Sequence, residues 1–147
     1  MIQVYLRKSD VEKAKKDGRF ITMTSNERIV RHFWQLFDAA EFEEAGNLLQ
    51  PNAIIRWWNT REEFKGADKF IEANRIYPGR WRITVERLES INNLIITVVK
   101  VVGQDISFYT TSFFTLEEER IIRIDEYWAE NSEPPDWRVE AALSVQF

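Results

Sequence analysis

The chain has 147 residues, a formal net charge of −4, 44% hydrophobic and 30% charged residues, and no cysteine. That length suits one domain with a real core, and without cysteine there is no disulfide framework, thiolate nucleophile or cysteine metal ligand. The basic residues are scattered rather than gathered into the concentrated surface that a phosphate backbone needs, which disfavours nucleic acid, and no apolar run approaches the roughly 18 residues of a membrane span.

In residues 1–22, Ile2, Val4 and Leu6 alternate briefly. A short, mostly polar helix candidate follows and ends at Gly18. Little there can pack, so residues 1–22 are expected to be a peripheral arm and residues 23–147 a single domain. The opening MIQVYLRKSDVEKAKK has no apolar signal-peptide core, so a cytoplasmic location is expected. Thr24 and Glu27 have the spacing of a capping box, and Ile29, Val30, Phe33, Trp34 and Phe37 recur at helical intervals behind it. A second helix is expected over residues 41–49, a β-rich run over 53–58, and a third helix over 67–76, stopped by Pro78 and Gly79. Four long β-rich runs follow, over 81–91, 94–102, 106–115 and 120–129. Their joints are short, with asparagines at 92–93 that tolerate positive φ, so the runs form an antiparallel meander. Helices first and strands after them make an α+β domain.

That order resembles the nuclear transport factor 2-like superfamily and its SnoaL-like subgroup. The stretches carrying the resemblance are FWQLFDAAEFEEAGNLLQPNAIIRW, FKGADKFIEA and RIIRIDEYW. It implies the cystatin-like cone, with three N-terminal helices packed on a curved antiparallel meander sheet and a pocket between the concave sheet face and the helices. In the last strand, period 2 puts Ile122, Ile124, Glu126 and Trp128 on one face and Ile121, Arg123, Asp125 and Tyr127 on the other. The first set is more apolar and is expected inward. The matching inward set in the preceding strand is Tyr109, Thr111 and Phe113, joined by Phe33 and Phe37 from the first helix and Trp57 from the first strand. These residues, with Ile124 and Trp128, are the expected ligand-binding set around Glu126.

A ketosteroid-isomerase pattern on this fold needs a tyrosine and two aspartates. Ungapped matching puts Phe33, Trp57 and Thr111 in those places, so that chemistry is not expected. The chain has one histidine, His32, read as a partly exposed helix residue rather than a general base. Paired-histidine dehydratase chemistry and a zinc site are both disfavoured. No HExxH, EF-hand or phosphate loop occurs, and neither metal nor cofactor is expected.

Glu126 has two readings. Desolvated among aromatic rings, it is a general acid or base or a ligand anchor with a raised pKa. Paired with an arginine such as Arg56 or Arg82, or lying near the pocket mouth in water, it has no chemical role. Among the tryptophans, Trp81 is expected in the core, while Trp137 either closes over the pocket or docks on the outer sheet surface. The leading function is binding of a small apolar or aromatic molecule. The alternatives are a lyase, isomerase or cyclase using Glu126, and a homodimeric assembly module whose outer sheet face carries Phe108, Thr110, Ser112, Phe114 and Tyr127.

Overall fold

Thr24 opens the first element as the capping box predicts, its Oγ1 accepting from the Glu27 amide at 3.2 Å. The computed structural model describes residues 23–147, so the expected arm at 1–22 lies outside the described residues. Helix α1 (Ser25–Asp38) turns Val30, Phe33, Trp34 and Phe37 into the core. It ends in a Schellman motif: the Glu41 amide donates to Leu36 O and the Ala40 amide to Phe37 O. That motif needs a left-handed residue, and here it is Ala40, at φ 58°.

The second helix is shorter than its periodicity suggests. Helix α2 (Phe42–Gly46) stops, and strand β1 (Leu49–Trp57) begins at Leu49. Sheet pairing captures this segment: Leu49 lies opposite Ile121, and the Ile121 amide donates to Leu48 O. Pro51 lies where the pairing of β1 is irregular, between Leu49 and Ile54, a place where the missing N–H breaks no ladder bond. A short strand β2 (Glu62–Lys65), not expected from sequence, pairs antiparallel with β1. Helix α3 (Ala67–Arg75) follows, then β3 (Arg82–Ile91), β4 (Leu94–Val102), β5 (Ser107–Glu117), β6 (Arg120–Glu130) and the short helix α4 (Asp136–Glu140).

The six strands form one sheet in the order β2-β1-β6-β5-β4-β3. The meander is as expected, but the sheet as a whole is mixed, because β1 runs parallel to β6. Helix α1 packs on β3 and β4, and α3 packs on β1. Between the helices and the sheet the core is mostly aromatic. Phe33 meets Phe37 at 4.4 Å and the edge of Phe114 at 5.3 Å between ring centroids. Trp81 is half-buried against this core, as expected. Its ring lies where a Cβ on Gly103 would come within 2.7 Å of it, so close approach explains that glycine. No described helix is long and apolar enough to cross a membrane.

One irregularity decides which residues face inward. The β5–β6 turn is Glu118–Glu119, both at positive φ (47° and 61°), the geometry of a type I′ hairpin. Regular pairing from that turn would set Thr111 opposite Glu126. Instead Leu116 pairs with Ile121 and Thr115 with Arg123, leaving Ile122 as an extra residue in β6. The bulge shifts the register by one residue, and in a strand one residue exchanges the faces. Ile121, not Ile122, is the fully buried residue. Thr110, Ser112 and Phe114 turn inward, and Tyr109, Thr111 and Phe113 turn outward.

Candidate functional site around Glu126

Adjacent strands place residues in rows across the concave face. One row is wholly apolar: Ile55, Ile124, Phe114 and Ile95 are neighbours in register and fully buried. The next row is Trp57, Glu126, Ser112 and Thr97. Its three non-aromatic members are all polar, and all are buried, with Glu126 only 8% exposed. Buried polar groups are costly unless hydrogen-bonded, so their partners matter. Thr97 has one, since Trp34 Nε1 donates to its Oγ1 at 3.1 Å. Ser112 Oγ and Trp57 Nε1 are buried with no hydrogen-bond partner among the described residues.

Among the described residues Glu126 is in no ion pair. Arg56 donates to Glu63 at 2.9 Å, and Arg82 grips Asp38 at 3.0 and 3.1 Å. With both expected partners committed elsewhere, burial acts on Glu126 alone and pushes its pKa from 4.5 up to about 8. Asp125, the next residue along the chain, shows the contrast. It faces outward, and although burial works to raise its pKa, hydrogen bonds from Arg123 and Trp58 hold it below the ordinary carboxylate value.

The backbone around Glu126 is held from the β1 side. The Trp58 amide donates to Glu126 O at 3.1 Å. Asn59 accepts from the Trp128 amide at 2.8 Å and donates to Trp128 O at 2.6 Å. These bonds fix Trp128, whose ring meets the Trp57 ring edge-on at 5.8 Å. Trp57 also packs against Phe64 at 4.6 Å. A groove of about 190 Å³ passes Trp57 at the β1–β2 turn, rimmed by Arg56, Arg61 and Glu63.

Of the expected ligand-binding set, Phe33, Phe37, Trp57, Ile124 and Trp128 do gather on the Glu126 side of the sheet. Tyr109, Thr111 and Phe113 do not. The bulge at Ile122 sends them to the opposite face, where Phe113 and Tyr127 help line a hollow of about 320 Å³ with Trp58 and the Arg123–Asp125 pair. The residues that take their inward places are Thr110, Ser112 and Phe114. The ungapped matching of Thr111 is corrected in the same way, and the inward residues Thr110 and Ser112 are also not carboxylates. The expected outer patch is corrected too. Phe114, Ser112 and Thr110 are buried inside, and Phe108 packs against the core and Trp81. Tyr127 alone of that set faces out. Trp137 neither closes over the site nor docks on the sheet, being 64% exposed with Arg138 over its ring at 5.5 Å. His32 is half-buried on α1. Among the described residues no group of three or more acidic or histidine side chains could hold a metal ion.

No protein-family model matches this chain, and no curated protein matches it. Solved structures do. A candidate ketosteroid isomerase from Kribbella flavida superposes with a TM-score of 0.74 at 23% identity, over 84% of this chain and 91% of that one. A protein of unknown function from Burkholderia xenovorans, described as nuclear transport factor 2-like, gives 0.72 at 20% identity, over 84% and 95%. A candidate SnoaL-like polyketide cyclase from a Jannaschia species gives 0.66 at 15% identity, over 75% and 89%. The chain therefore has the nuclear transport factor 2-like fold, in company with SnoaL-like proteins.

Proposed function

We propose that this chain binds a small, largely apolar molecule on the concave sheet face beside Glu126. The observation that carries the reading is a buried carboxyl group with no protein partner among the described residues, set in a row of polar groups between apolar and aromatic neighbours. A fold under selection for stability alone would replace such a group with an apolar one, and perturbed carboxyl groups of this kind cluster at functional sites. Names given to the structural neighbours include ketosteroid isomerase and polyketide cyclase, which agrees with a small organic ligand.

Ligand-observed NMR on a set of small aromatic fragments tests the reading. Fragments should bind wild type, compete with one another, and lose binding in Glu126→Arg that remains folded by circular dichroism. If no fragment binds, or binding survives that substitution, the reading fails.

A catalytic version uses the same group. A carboxyl with a pKa near neutrality can give or take a proton in a lyase, isomerase or cyclase reaction. Assembly is a separate matter, and a homodimer through the outer sheet face is the proposed arrangement. Trp58, Tyr109 and Tyr127 stand there at 43%, 42% and 41% exposure, an aromatic surface suited to self-association.

A further inference from the structure

The segment after β6, residues 131–147, is apolar and uncovered. Pro134 and Pro135 lead stiffly into α4, with Pro135 extended at φ −66° and ψ 145°. The Ala141 amide donates to Trp137 O, and Ala142 takes a positive φ of 50°. The chain then turns back, and Gln146 Nε2 donates to Glu133 at 2.8 Å. The segment is thus shaped by its own hydrogen bonds. Trp137, Val139, Leu143 and Val145 are each more than half exposed, Val145 at 90%, and none of them packs on the core. Apolar groups gathered on one exposed segment mark an interaction surface.

The outer sheet face has the complementary need. Leu94, Ile96 and Val98 alternate along β4 with the buried Ile95, Thr97 and Val99, so they point outward, in register with the outward Thr115, Phe113 and Thr111. Beside them lies the hollow walled by Trp58, Phe113 and Tyr127, with the Asp125 carboxylate on its lining. Aromatic walls and an acceptor suit an indole, which brings a flat apolar ring and one N–H donor. The charges also match. Residues 131–147 hold three acids (Glu133, Asp136, Glu140) against Arg138, a net of −2. The outward positions of β1, β6, β5 and β4 hold four bases (Arg56, Lys100, Arg120, Arg123) against Glu117 and Asp125, a net of +2. An anionic membrane surface would repel the same acids.

We propose that residues 131–147 of one copy lie across the outer sheet face of a second copy, with Trp137 in its hollow. The inference rests on the outer-face homodimer proposed above and adds an arm that each copy gives and receives, as a two-fold contact requires.

The chain has no cysteine, so Ser144→Cys, at an exposed position, takes a single nitroxide label. That chain, without isotope, is refolded from urea together with isotope-labelled wild type, so that any NMR line broadening passes between copies. The amides of Phe113 and Tyr127 should broaden. Trp137→Ser, at a side chain exposed in its own copy, should leave the circular dichroism unchanged. It should raise the dimer dissociation constant in sedimentation by about 10-fold or more, as loss of a buried tryptophan anchor does. A dimer without broadening between copies, or with an unchanged constant in Trp137→Ser, overturns the inference and leaves the outer-face dimer standing. Broadening only when label and isotope share one chain would place the arm on its own sheet and also overturns it. A wild type that is monomeric at micromolar concentration overturns both, and would give the arm to a different partner.

Discussion

Ser112 illustrates a residue kept against stability. Its hydroxyl is fully buried in the core with no partner among the described residues. Removing an unsatisfied buried hydroxyl relieves its desolvation cost and leaves only a small volume change. Ser112→Ala should therefore stabilise the fold by about 1 kcal/mol, read as a higher denaturation midpoint with an unchanged slope. A lower midpoint would mean that the hydroxyl has a partner. Thr97→Ala should do the opposite, because it strands the Trp34 indole N–H. At this scale the sequence was partly legible. Glu126 stood out as an acid between apolar neighbours at alternate positions, and Trp57 as an inward aromatic. Ser112 did not, because a serine in a strand is ordinary until its facing is known, and its facing depends on a residue ten positions away.

That residue is Ile122. The run RIIRI breaks strict alternation, with apolar residues at 121 and 122 before the polar Arg123, and such a break is the trace a bulge leaves in sequence. Taken as a regular strand, β6 puts Tyr109, Thr111 and Phe113 inside. With Ile122 as an extra residue, β5 exchanges its faces and Phe114 enters the core. Elements with local signals were legible: the cap at Thr24, the hairpin at Asn92 and the span of β4. Those made by distant pairing were not, including β2 and the parallel join of β1 to β6. The end of α1 offers a test at the same scale. Ala40 occupies the left-handed position of the Schellman motif, which costs any residue with a Cβ more than glycine. Ala40→Gly should stabilise the domain by about 0.5–1 kcal/mol in urea unfolding. A loss of stability would mean that contacts of the Ala40 methyl outweigh its backbone strain.

For the whole molecule, the order of helices and strands was legible because each rests on its own periodicity, and the fold followed from the order. Two surfaces of one sheet now carry separate proposals. If the outer face joins two copies through Trp58, Tyr109 and Tyr127, Tyr127→Glu should give monomers by sedimentation, since a symmetric contact brings the two new charges close together. A monomeric wild type at micromolar concentration contradicts that arrangement. The inner face makes the stability of the entire domain depend on pH. The Glu126 pKa is about 8 in the folded chain, raised by burial from 4.5. Between those values the folded state holds a proton that the unfolded state has released. Stability from this group is present at low pH and declines by about 1.4 kcal/mol per pH unit as pH rises, until the folded pKa is passed. Glu126→Gln keeps the shape and removes the titration. The most direct test of an uncompensated carboxyl at the centre of this site is thermal melting of wild type and Glu126→Gln at about pH 5 and pH 8. The two proteins should melt close together at the lower pH, and the variant should be clearly more stable at the higher. A variant that is less stable at the higher pH would show that Glu126 is held as a paired carboxylate, and would contradict the site described here.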